Sequence, residues 1–259
     1  MPTFEEVAIE VAQRAGGVLC RHFGHVRAEH KGDVDLVTIA DRDAEAVILD
    51  GLRAAFPHHQ VVAEESGTHA GADEFVWYVD PLDGTTNFVH GFPHFAVSLG
   101  LVAEGSLMTG VVHDPMRQET FHASRGRGAF LNGRPIVVSR VERLEQALLA
   151  TGFPYDRRRS ATELVPVFQR VLRQSQGIRR AGAAALDLAY VASGRLDGYW
   201  EALLQPWDTA AGSVLVAEAG GMVTAYDGSR PLVPYRDIVA TNRHLHAALR
   251  AVIEAPENG

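Results

Sequence analysis

Apolar positions recur at helical spacing through the first quarter of the chain and then give way to short, nearly unbroken runs. Phe4, Val7, Ala8, Val11, Ala15, Val18, Leu19 and Phe23 fall near one helical face and Gly24 supplies a stop, so residues 4–23 are expected to form a long amphipathic helix. A second helical pattern starts close to Asp41 and passes through Ala44, Val47, Ile48 and Leu52 until Pro57 ends it. The runs 61–63, 75–79, 95–102 and 108–112 read as strands. Asn132-Gly133, set between two apolar stretches, is a hairpin signal, and an antiparallel sheet is expected around it.

Past about residue 140 the pattern alternates. Strands are expected at 147–151 and 196–200, helices at 162–174, 184–192 and 208–219, strands again near Met222 and Ile238, and a last helix from Asn242. The chain therefore reads as an α/β protein in two parts: an α+β lobe over residues 1–140 and an α/β lobe over 141–259. No repeat, low-complexity tract or Pro/Gly/Ser linker separates them, so the two lobes are expected to pack intimately.

Composition narrows the choice of chemistry. The 259 residues, 46% hydrophobic and 22% charged, suffice for a core without disulfides or structural metal. A net charge of -8, from 24 basic and 32 acidic residues, argues against general affinity for nucleic acid or an anionic membrane. Cys20 is the only cysteine, which excludes an internal disulfide and a Cys-x-x-Cys pair, and a reducing, cytoplasmic setting is expected. The opening Met1-Pro2-Thr3-Phe4 lacks the pattern of a secretory signal, and no run of about 18 apolar residues marks a membrane span. Arginine outnumbers lysine 23 to 1, so Lys31 stands alone by composition and draws interest only from its neighbours.

The candidate chemistry lies in carboxylates at the ends of apolar runs. The run 75–79 stops abruptly at Asp80, and Asp83 follows after Pro81-Leu82, then Gly84-Thr85-Thr86-Asn87. Both carboxylates are expected to project from a buried strand end. Alone, an Asp-Gly corner is an ordinary turn. Two carboxylates beside a proline and a Gly-Thr-Thr turn ask for positive charge, because unpaired buried charge costs several kcal/mol, and hard cations favour such clustered oxygens. Glu64-Glu65 follows the strand 61–63 in the same manner, and Asp208 opens a helix after Trp207, where an N-cap is the plain alternative.

This ordered set resembles the inositol monophosphatase family. The resemblance rests on residues 80–88 with Glu64-Glu65-Ser66 before them and residues 207–212 after them, and it also takes in 31–41 and 179–201, nearly the whole chain. It implies a layered α-β-α-β-α sandwich of the sugar-phosphatase type and two to three Mg2+ ions. Glu64, Asp80, the carbonyl of Leu82, Asp83 and Asp208 then match metal ligands, with Asp80 bridging two ions. In such a site one ion activates water and the other steadies the leaving oxygen. Thr85 and Asp41 match the pair that orients and deprotonates that water, in a direct in-line attack; Glu64 and Asp83 belong to the same catalytic group. Gly84 and Thr85 match phosphate-holding amides, Gly182, Ala183, Ala184, Glu201 and Asp208 the alcohol side, and Lys31 a lysine near the metals. A homodimer and lithium sensitivity are implied by the same resemblance.

Hydrolysis of myo-inositol 1-phosphate is the leading expectation, with fructose 1,6-bisphosphate, histidinol phosphate and adenosine 3′,5′-bisphosphate as alternatives. Many relatives carry Thr or Ser where this chain has Ala183, and the stretch from Lys31 to Asp41 is one residue shorter than in some animal relatives. His90 and His94 are four apart, but Pro93 breaks the helix that zinc binding would need, so both read as loop or packing histidines. A separate class of function, RNA or protein binding, would use the arginines within 125–127 and 157–159, the latter read as a solvated loop.

Overall fold

The computed structural model describes residues 2–25, 29–30, 36–154, 157–229 and 236–255. Lys31, Asp35, Tyr155 and Asp156 lie outside them. Along the chain run α1 (Phe4–His22), β1 (Glu29–His30), β2 (Leu36–Val37), α2 (Ile39–Ala55), β3 (His59–Ala63), β4 (Gly67–His69), β5 (Ala72–Asp83) and α3 (Thr85–Val89). Then come β6 (Ala96–Ala103), β7 (Ser106–Asp114), β8 (Glu119–Ser124), β9 (Ala129–Leu131), β10 (Arg134–Ile136), β11 (Leu148–Thr151), α4 (Arg157–Leu172) and β12 (Gly177–Arg179). The last elements are α5 (Ala184–Ala192), β13 (Gly198–Glu201), α6 (Pro206–Glu218), β14 (Met222–Thr224), β15 (Ile238–Thr241) and α7 (His246–Glu254).

Two sheets organise the core. The eight-stranded sheet has the order β10-β9-β8-β7-β6-β5-β3-β4, and the five-stranded sheet the order β12-β11-β13-β15-β14. Neighbours in the larger sheet are antiparallel, as expected around the Asn132-Gly133 hairpin, except β3 and β5, which run parallel. Strand β6 is apolar at almost every position, and β7 is apolar through Val111 and Val112, because both faces of the sheet are covered there. Val97, Leu99, Leu101 and Val111 meet Val11, Leu19, Ala44 and Ile48 of α1 and α2, whereas Ala96 and Val112 meet Leu188 and Ala211 of α5 and α6. On the far side of the smaller sheet, Leu149, Trp200 and Val239 pack with Val171, Leu249 and Val252 of α4 and α7. The layers therefore alternate helix, sheet, helix, sheet, helix.

Helix α6 sits against the large sheet backbone to backbone. A methyl on Gly100 would lie 2.5 Å from the Ala210 Cβ, and one on Gly110 would lie 2.3 Å from the Ala211 carbonyl oxygen. Ser98 fastens the first turn of α6, its hydroxyl donating to the Trp207 carbonyl at 3.2 Å. This close approach brings Asp208 to the end of β5.

Several expectations need correction. Strand β8 carries few apolar residues, but its polar His122 and Ser124 reach Glu5 of α1 at 2.6 and 3.0 Å, so a partner distant in sequence supports it. Strand β5 does not stop at Asp80 but continues through Asp83. Helix α4 starts at Arg157, so 157–159 are helical rather than loop. Helix α6 starts at Pro206 with Gln205 as its N-cap, which makes Asp208 the third helical residue and not the cap. Helix α7 begins at His246, later than expected, because residues 242–245 form a turn before it, in which Asn242 accepts from the Leu245 N–H at 3.2 Å while donating to Val141 and Ser139.

Gly110→Ala is expected to destabilise the protein by about 1–3 kcal/mol, the usual range for overpacking a tight contact. Urea denaturation checks this; an unchanged midpoint would contradict the contact between α6 and the sheet.

Candidate active site

Residues three apart in a regular strand point to opposite faces, yet Asp80 and Asp83 share one. The cause is a bulge. Asp80 pairs with Ser98 and Asp83 with Ala96, so Pro81 and Leu82 together oppose the single residue Val97. The extra residue restores the parity, placing both carboxylates toward α5 and α6 while the Leu82 side chain enters the core beneath α1 and α2. Asp80 accepts from the Leu82 N–H at 2.9 Å, which braces the bulge.

Gly84 then turns the chain with φ 99°, a left-handed conformation that glycine adopts without strain, and α3 begins at Thr85. The Thr85 hydroxyl lies 3.1 Å from the Leu82 carbonyl and 3.3 Å from Asp41 Oδ1. Asp41 is the third residue of α2, and its Oδ2 accepts from both the N–H and the hydroxyl of Thr38, at 2.8 and 2.6 Å. One oxygen closes the capping box and the other faces Thr85. Asp41 is buried behind Thr85 and is not part of the cavity wall.

Asp83 reaches across to α5, a helix in the layer between the sheets. Its two oxygens accept from the N–H groups of Ala184 and Ala185 at 3.1 and 2.8 Å, at the positive end of α5. Asn87 reinforces this junction, its amide donating to the carbonyls of His94 and Ala181, both at 2.8 Å. Asp208 is fixed as Asp41 is, accepting from the Gln205 N–H at 2.7 Å. Glu64 follows β3, its N–H bonded to the Val79 carbonyl, and Glu45 of α2 holds the next turn by accepting from the Glu65 N–H at 2.9 Å.

These groups enclose a cavity of about 950 Å³ lined by Glu64, Asp80, Leu82, Asp83, Gly84 and Thr85 on one side and by Gly182, Ala183, Ala184, Glu201 and Asp208 on the other. Lys31 falls outside the described residues. His90 is exposed and His94 buried, and they share no site. Sequence reasoning missed several participants: Glu45, Tyr199, Gly152, and the wall residues Phe153, Arg180 and Arg236. For Glu45 a signal existed, since an acid one turn after Asp41 lies on the apolar face with Ala44 and Ile48. For the others the signal is tertiary.

Burial and crowding push the acids toward their neutral forms. Asp80 is raised well above the ordinary carboxylate range, first by loss of water and then by Glu64, Asp83 and Asp208. Burial lifts Asp83 to about 6, against the opposing pull of the Ala185 and Ala184 N–H groups. Asp208, which keeps some exposed surface, is likewise raised well above the usual range by desolvation and then by Glu64. Burial raises Asp41 despite its bonds from Thr38, and lifts Glu201 to about 7 despite the bond from Tyr199. The donor set is that of a hard-cation site: desolvated oxygens whose mutual repulsion a cation would relieve. Among the described residues, no group of three His, Cys, Asp or Glu side chains is gathered tightly enough to hold an ion as it stands. Asp83 and Asp208 turn oxygens to backbone N–H groups.

Fold and site together define a class, the phosphoric monoester hydrolases of layered α/β build. The chain belongs to the inositol monophosphatase family, whose model matches residues 1–257. It is 46% identical over 258 residues to the inositol-1-monophosphatase of Synechocystis sp., covering 98% of this chain and 90% of that protein. It is 45% identical over 249 residues to the Nus factor SuhB of Salmonella typhimurium, covering 95% of this chain and 93% of that one. Among solved structures, the extragenic suppressor protein suhB of Bartonella henselae is similar at a TM-score of 0.92 and 42% identity, over 96% of this chain and 97% of that one.

Glu201→Gln removes a charge at nearly constant shape. A carboxyl whose pKa rises from 4.5 unfolded to about 7 folded binds its proton more tightly in the native state, so its contribution to stability falls as pH climbs through that window. In metal-free buffer the variant should gain Tm over wild type at about pH 8 but little at about pH 5, a difference of at most on the order of 3 kcal/mol. Equal Tm differences at both pH values would contradict the burial of this carboxylate.

Proposed function

We propose that the chain hydrolyses myo-inositol 1-phosphate, or a similar polyol phosphate monoester, with Mg2+ as cofactor. The observation that supports this best is the gathering of Glu64, Asp80, Asp83 and Asp208 on one cavity with Glu201 in its opposite wall. Glu64, Asp80, the Leu82 carbonyl, Asp83 and Asp208 would hold two to three ions. When bound, the cations supply the positive charge that acidifies a water and offsets charge on the leaving oxygen.

The chain's own groups do the rest. Thr85, whose hydroxyl is directed to Asp41 Oδ1, would orient the attacking water, and Asp41, one oxygen fixed by Thr38, would take the proton through Thr85. The raised pKa of Asp41 suits a group that must accept a proton near neutral pH. The left-handed turn at Gly84 brings the Gly84 and Thr85 amides to the phosphate, and Glu201 accepts a hydroxyl of the alcohol. Lys31, a homodimer, a cytoplasmic setting and the division into lobes 1–140 and 141–259 belong to the same proposal.

A second reading is favoured by the name Nus factor SuhB carried by relatives as similar as the Salmonella typhimurium protein. Here the chain would also engage a nucleic acid or protein through the exposed Arg125 and Arg127. Loss of a partner without loss of turnover after both are changed to Ala would support it.

Asp83→Asn and Asp208→Asn are each expected to lower magnesium-dependent turnover by about two orders of magnitude or more, since each removes a ligand charge. Near-normal turnover in either would overturn the assignment. Comparing kcat/KM over inositol 1-phosphate, fructose 1,6-bisphosphate, histidinol phosphate and adenosine 3′,5′-bisphosphate tests the substrate; preference for one of the last three would replace it and leave the chemistry intact.

A further inference from the structure

Glu201 is held by two neighbours that the reaction does not use directly. Tyr199, two residues earlier on β13 and on the same face, is fully buried and donates its hydroxyl to Glu201 Oε2 at 2.5 Å. Gly152, just past β11, closes on the carboxylate from the side: a Cβ built there would fall 1.9 Å from Oε2 and 2.4 Å from Oε1. Thr151 fixes that approach, its hydroxyl donating to the Trp200 carbonyl at 2.7 Å. Among the described residues no hydrogen bond reaches Oε1, and both Glu201 and Gly152 line the cavity.

We infer that Tyr199 and Gly152 are positioning residues that determine which alcohols the site accepts: Tyr199 occupies Oε2, Gly152 leaves the space for the carboxylate, and Oε1 remains to receive one substrate hydroxyl. The inference rests on the reading of Glu201 as a contact to the alcohol. Three features support the arrangement. Burial raises the Tyr199 phenol well above its ordinary range, so it remains a donor. The pairing of Tyr199 with Ala240 and of Glu201 with Ile238 sets both side chains in a rigid strand between β11 and β15. Any side chain at residue 152 would have to displace the carboxylate. The selected ligands are phosphate esters whose alcohol bears a free hydroxyl, as opposed to aryl phosphates that have none to offer.

The test compares kcat/KM for inositol 1-phosphate with that for p-nitrophenyl phosphate in wild type, Glu201→Ala, Tyr199→Phe and Gly152→Ala, with Mg2+ present. Loss of one oriented hydrogen bond predicts that the ratio of the two values falls about three- to ten-fold in Tyr199→Phe, mainly through KM for the polyol ester, and at least as far in Gly152→Ala. A lower ratio in Glu201→Ala with wild-type ratios in the other two would overturn the positioning role alone. An unchanged ratio in Glu201→Ala would overturn the reading of Glu201 itself, and the inference with it. If both substrates fall in parallel in Tyr199→Phe and in Gly152→Ala, the damage is general and the inference fails.

Discussion

The burial of crowded carboxylates is the constraint around which the rest of the structure is arranged. Asp80 and Asp83 are almost withdrawn from water, and Glu64 and Asp208 stand close enough to push Asp80 further from its charged form. Leaving such groups together costs stability, and their surroundings limit that cost with oriented N–H donors: Leu82 for Asp80, Ala184 and Ala185 for Asp83, Gln205 for Asp208. Those donors satisfy individual oxygens but add no full positive charge. On the proposed reading, Mg2+ supplies it, and the site is a local destabilisation that ligand binding reverses.

The scaffold works as a set of fixed placements rather than as a cage. A bulge sets two acids of β5 on one face, and glycines in β6 and β7 let α6 approach until Asp208 meets them. The N-terminus of α5, which belongs to the layer between the sheets, docks on Asp83. The floor of the cavity and its opposite wall are thereby held in register by one carboxylate and by the Asn87 amide. Asp41 and Asp208 share a local device, each an acid at the third position of a helix closing a capping box. In both cases one carboxylate oxygen is held by the cap while the other is left for different work.

Much of this was legible in the chain because it is local. The helical spacing of residues 4–23, the Asn132-Gly133 hairpin and the helix 184–192 all appear as read, the hairpin with φ values of 48° and 75°. The residues 80–85 stood out because carboxylates at the end of an apolar run conflict with burial. What escaped depends on register and on distant partners. No local pattern shows that Pro81 and Leu82 oppose one residue, that Gln205 rather than Asp208 caps α6, or that Gly152 and Tyr199 bracket Glu201. Strand β8 escaped for the same reason, since Glu5 satisfies its polar face from far along the chain.

The claim that these carboxylates are a cation site can be tested by diffraction. Crystals grown or soaked with Mn2+, a hard cation of the same ligand preference as Mg2+, would be measured for anomalous scattering. Peaks within bonding distance of Asp80 and of at least two among Glu64, Asp83, Asp208 and the Leu82 carbonyl are the expected result. Full-occupancy Mn2+ elsewhere in the molecule, with no peak beside Asp80, would contradict it.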